Sequence, residues 1–138
     1  MKHINHLFIV LLLIVGIQLS ACASKAEATK KVDPAKLEPI EGTDFQRVIL
    51  TEKAAARLNV QTALVAGNTI PYAAVIYDTE GNTWVYTNPE PLTFVRQAIM
   101  IDHIDGDQAI LSQKLDSDTM VVTLGVSELY GAETGVSK

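Results

Sequence analysis

The residues that could do chemistry are few and clearly placed. One cysteine, Cys22, is the only thiol in 138 residues. His3 and His6 lie in an apolar N-terminal stretch, which leaves His103 as the one histidine of the folded part. A lone histidine with no thiol to activate reads as a solvated turn residue. Ser112 follows nearby, but no Gly-x-Ser-x-Gly elbow presents it as a nucleophile. One histidine and one cysteine also fall short of an ordinary zinc site. Carboxylates are better represented: Asp102, Asp105 and Asp107 crowd one stretch, and Asp116 and Asp118 follow. Calcium takes about six to eight oxygens, and this cluster offers several. No Glu closes it as in an EF-hand loop, and an acid pair for glycoside hydrolysis has no further support. Aspartates also favour turns for backbone reasons. The reading is therefore no catalytic residue, no metal ligand and no cofactor. Trp84, Tyr72, Tyr77 and Tyr86 offer either a recognition surface or cross-strand aromatic packing.

The elements that must position these residues are mostly strands. "RVILT" has strand character, and "TEKAAARLNV" predicts a short helix with Thr51 as N-cap, Glu52 in the first turn and Asn59 closing it. "VQTALV" alternates as a strand, with Val60, Thr62 and Leu64 on one face. "IYDTEGNTWVYTN" predicts a hairpin turning at Asp78–Asn82. Pro89 and Pro91 are expected to stop its second strand. "LTFVRQAIMI" reads as one long strand, and "DHIDGDQAIL" as a hairpin around Asp105-Gly106 with a type I′ turn. "TMVVTLG" is a last strand, before a short helical turn and a tail. The expected fold is mostly β: a small antiparallel barrel or sandwich of about six or seven strands with one short helix.

The N-terminus reads "MKHINHLFIVLLLIVGIQLSAC". Lys2 precedes an apolar run, Leu7 to Ile17, of signal-peptide length, shorter than the roughly 20 residues of a spanning helix. Leu19-Ser20-Ala21-Cys22 resembles a bacterial lipobox, which implies cleavage before Cys22 and its lipidation. Buried acyl chains contribute about 0.8 kcal/mol per CH₂, and two chains give stable anchoring. The expected organisation is a signal peptide over 1–21, a lipidated cysteine and flexible linker over 22–44, a β domain over 45–133 and a tail over 134–138. Residues 23–44 are rich in Ala, Lys, Glu and Pro, too poor in apolar bulk to fold alone. Fully extended they span at most about 70 Å. The whole chain carries a net charge of −5, and an acidic chain without a basic stripe argues against nucleic acid as a partner.

Three stretches together resemble a known family. "VILTEKAAARLNVQTALV" (48–65) is similar to the opening segment of periplasmic adaptor subunits, or membrane fusion proteins, of resistance-nodulation-division efflux pumps. "IPYAAVIYDTEGNTWVYT" (70–87) resembles their "V-P-x-x-A-V" strand and the hairpin after it. Residues 94–133, with an arginine-bearing strand, an Asp-Gly turn and "V-V-x-x-G", resemble their closing segment. In that family the first and last segments form a membrane-proximal domain that leans on the transporter. The lipoyl-like module and β-barrel that full adaptors place between them are missing, with only residues 66–69 in their place, and Ser117-Asp118 stands where Gly-Asp is usual. The resemblance implies a membrane-proximal domain without the parts that reach an outer-membrane channel. The expected function is a non-enzymatic lipoprotein, held to a membrane in the cell envelope on the periplasmic or outer surface, that docks on an efflux transporter or related envelope complex. The alternative is an envelope lipoprotein that binds a small molecule or metal ion without a pump, with the acidic turn at Asp105 as its best feature.

Overall fold

A computed structural model of the chain describes residues 32–65 and 67–135. The signal peptide and Cys22 lie outside the described residues. The compact unit begins at Asp33. Its elements in chain order are β1 (Ala35–Pro39), β2 (Gln46–Leu50), α1 (Glu52–Leu58), β3 (Gln61–Leu64), β4 (Thr69–Pro71) and a 3-10 turn at Tyr72–Ala74. They continue with β5 (Ile76–Tyr77), β6 (Thr83–Glu90), β7 (Thr93–Ile99), β8 (Ile101–Asp105), β9 (Gln108–Leu111), β10 (Met120–Leu124) and α2 (Val126–Thr134).

All strand pairs are antiparallel. The larger sheet runs β1-β2-β7-β6-β10-β3, with β5 pairing β6; the smaller runs β4-β9-β8. The ends of the larger sheet, β1 and β3, do not meet. Of the two architectures expected, the structure is the sandwich and not the barrel.

Alternation along the central strands feeds two cores. Val48, Leu50, Tyr86, Phe94 and Val122 of the larger sheet pack with Ala54 of α1 and with Val126 and Leu129 of α2. From its other face, Val85, Ile99 and Val121 pack with Ile70, Ala109 and Leu111 of the smaller sheet and Ala74 of the 3-10 turn. Tyr86 and Val85 are neighbours in sequence, and both are fully buried. A strand whose successive residues point to opposite faces achieves this only when both faces are covered.

Local chemistry explains the short elements. The Thr51 side chain accepts from Ala54 N, and Asn59 closes α1 in the left-handed region at φ 51°, both as its sequence predicts. Gly106 turns the β8–β9 hairpin at φ 58°. Asp105 pairs with Gln108, so the central pair is Gly106-Asp107, and only Gly106 has positive φ. That is a Gly-first turn of the II′ kind instead of the expected I′.

Four other expectations change. Residues 35–39 of the expected linker form β1, paired with β2 from Ala35↔Leu50 to Pro39↔Gln46; its mostly exposed side chains carry little core, but the strand saturates the β2 edge. Pro89 does not stop its strand, because the β6–β7 register shifts between Thr87 and Glu90, and such an irregularity tolerates a residue without an N–H. The long strand through Ile101 is divided at Met100 between the two sheets. The C-terminal turn is a nine-residue helix, α2. The described residues thus hold ten strands and two α-helices, more than the six or seven strands and one helix expected.

Candidate functional site

The most elaborate polar constellation is centred on Arg96 of β7. Its side chain is 10% exposed, and Nε lies 2.9 Å from Glu133 Oε2, whose side chain is 2% exposed. The Nε–H is not aligned with that oxygen and makes no hydrogen bond, so the contact is an ion pair. The Tyr86 hydroxyl donates to the same Oε2, and Gln46 N donates to Oε1 at 3.2 Å. Three aromatic rings surround the guanidinium: Phe45 at 4.6 Å, Tyr130 at 5.4 Å and Trp84 at 5.5 Å from ring centre to Cζ. Phe45 and Trp84 meet edge to face, with centroids 4.8 Å apart. Weakly hydrated and flat, guanidinium suits such a cage better than ammonium would.

The members of this constellation come from β6, β7, α2 and the start of β2. Tyr86 and Arg96 are cross-strand partners on β6 and β7, Phe45 leads into β2, and Glu133 belongs to α2. Val126, Leu129 and Glu133 are the buried residues of α2, and their spacing puts them on one helical face. Burial, with the Glu133 carboxylate second, raises the Tyr86 phenol well above its ordinary range, so its hydroxyl remains a donor. Both Glu133 oxygens are engaged, and the arginine is enclosed. The arrangement pins α2 onto the sheet. Sequence reasoning noted the arginine only as a feature of its strand and missed Glu133, although the 126/129/133 spacing carried the signal.

The aromatic residues divide between the two readings. Tyr86 is core, and Trp84 is half-buried against the helix-side core. Tyr72 and Tyr77 are 42% and 50% exposed. The Tyr72 hydroxyl beside Tyr77, and to a lesser degree partial desolvation, raises the Tyr77 phenol. The carboxylates are dispersed. Asp105 ends β8 and Asp107 sits in the exposed β8–β9 turn, while Asp116 and Asp118 line an open groove of about 440 Å³ with Thr87, Asn88, Pro89, Gln97, Thr119 and Met120. Among the described residues no three His, Cys, Asp or Glu side chains converge to hold a metal ion. His103 is on strand β8, not in a turn, and its Nδ1 lies 2.8 Å from Asp102 Oδ2 at the exposed surface. Ser112 is exposed after β9, and its N–H donates to Met100 O. No helix of the described residues is long and apolar enough to cross a membrane.

Comparison with protein-family models, with curated proteins and with solved structures finds no match.

Proposed function

We propose that the chain is a lipid-anchored, non-catalytic protein of the cell envelope whose β-sandwich docks on a membrane transporter or related complex in the manner of an adaptor. The observation that carries this reading is the interleaving of 48–65 with 70–133, which hold the three stretches on which the family resemblance rests. β2 lies against β7 through Val48↔Phe94, and β3 lies against β10 through Val121↔Ala63. Residues 48–65 and 70–133 therefore build one pair of cores. The link between them includes the exposed Gly67, with open space about its Cα. That is the arrangement expected of a membrane-proximal domain whose intervening modules are replaced by a short surface connection.

The anchor rests on the lipobox resemblance at Cys22. Confined to the membrane, the domain would need only a weak interface, because tethering raises its effective concentration. Affinity purification of the full chain in mild detergent is expected to recover an integral membrane transporter, and Cys22→Ser to move the protein from the membrane to the soluble fraction. Recovery of soluble proteins alone would refute the docking, and membrane retention of Cys22→Ser would refute the anchor.

A further inference from the structure

The Arg96 guanidinium has more donors than the fold uses. A guanidinium carries five N–H groups in one plane, one on Nε and four on Nη1 and Nη2. Glu133 meets the cation at Nε, which is buried and makes no hydrogen bond. Neither Nη1 nor Nη2 hydrogen-bonds to a described residue, and neither is shut off from solvent as Nε is. The outer end of a side chain that is only 10% exposed is therefore open and unmatched. Polar groups held this deep are ordinarily satisfied, so the free fork points to an acceptor that comes from outside the fold.

The surroundings of that fork are apolar and fixed in place. Phe45, Tyr130 and Trp84 all have ring centres within 5.5 Å of Cζ, and each ring is only half-buried. Trp84 is held by its indole N–H, which donates to Asp78 Oδ2 at 3.0 Å, and by the edge of Phe45. Glu133 backs the guanidinium and is itself held by Tyr86 and Gln46. Arginine, tryptophan and tyrosine side by side, locked by a supporting shell, are what a recognition site is made of.

We infer that this is a binding site for a small aromatic carboxylate, taken end-on by Nη1 and Nη2 with its ring against the rim of Phe45, Trp84 and Tyr130. The flat fork of a guanidinium matches the two coplanar oxygens of a carboxylate. Charge argues against a larger anion, because Glu133 already balances Arg96 and the chain carries a net charge of −5. Phosphate would bring more negative charge and a third oxygen that a two-pronged fork does not reach. An aliphatic acid would leave the three rings bare, whereas a flat apolar ring covers them. The inference does not depend on the anchor or on a transporter.

Trp84 is the only tryptophan of the chain, so its indole N–H resonance reports on the site without a label of its own. Benzoate titrated into the full chain at constant ionic strength is expected to shift that resonance saturably. Benzamide has the shape without the charge, and acetate the charge without the ring; each should bind about tenfold more weakly or worse. Inorganic phosphate should not displace benzoate. Arg96→Lys keeps a cation opposite Glu133 but loses the fork, and should weaken benzoate about tenfold. Tyr130→Leu keeps the fork and should weaken it severalfold. Circular dichroism checks that both variants are folded, and if one is not, the comparison of benzoate with benzamide and acetate on the parent chain decides. No saturable shift with benzoate, equal binding of benzamide or acetate, displacement by phosphate, or benzoate affinity unmoved in either folded variant would each overturn the inference.

Discussion

Four donors converge on one carboxylate at Asp78. Glu80 N and Asn82 N donate to Oδ1 at 2.9 and 2.8 Å, and Asn82 Nδ2 and Trp84 Nε1 donate to Oδ2 at 2.9 and 3.0 Å. These bonds, the Asn82 side chain first among them, outweigh desolvation and hold the carboxyl down to about 2. A carboxylate whose folded value lies below its unfolded value, about 3.9, stabilises the fold above that unfolded value. The contribution is lost as pH falls through the folded value. The β5–β6 hairpin should therefore loosen as pH drops from about 4 to about 2. The Trp84 indole N–H resonance should titrate with a midpoint near pH 2, and Asp78→Ala should abolish that titration. A midpoint near 4 would show that the four donors do not act on the charged form. The turn at Asp78–Asn82 was plain from sequence; the reach of Asp78 to the Trp84 indole was not, because it depends on where β6 begins.

At the scale of elements, α2 is secured to the sheet by an apolar stripe and one buried ion pair. Breaking such a pair on one side leaves a charge without compensation and costs about 3–5 kcal/mol. Replacing the whole set with apolar groups is often nearly neutral. Glu133→Leu alone should lower unfolding free energy by about that amount in urea denaturation. Combining it with Arg96→Met and Tyr86→Phe, which remove the orphaned cation and hydroxyl, should recover most of the loss. If the triple variant were as unstable as Glu133→Leu, packing of the Glu133 side chain and not charge would be what holds α2.

For the whole molecule, the boundary of the folded unit matters. The composition of residues 23–44 argues for a tether throughout, yet β1 pairs with β2 over five residue pairs. Thr51 N, just past β2, donates to Pro34 O at 3.0 Å. A chain beginning at Phe45 would bare the β2 edge, an invitation to intermolecular pairing. Compared with one beginning at Asp33, it should unfold at lower urea and aggregate at lower concentration. Equal midpoints and solubility would mean that β1 is an ornament of the sheet with no share in its stability.

Local rules were enough for much of this protein. The cap at Thr51, the left-handed close at Asn59, the glycine turn at Gly106 and the antiparallel, mostly β character follow from side-chain chemistry within a few residues, because caps and tight turns are satisfied locally. Alternation puts Trp84 and Val85 on opposite faces, and from sequence alone one of the two is expected to face outward; neither does. Only the tertiary structure decided that both faces are covered, since covering them takes α2 from the chain's end and a second sheet assembled from β4, β8 and β9. It likewise turned residues 35–39 from spacer into strand. No short window reveals that, because the ordering comes from the unpaired edge of β2. The Arg96–Glu133 pair joins residues 37 positions apart on different elements, and neither charge, read along the chain, names its partner. Burial makes such a contact, and burial is a property of the assembled fold.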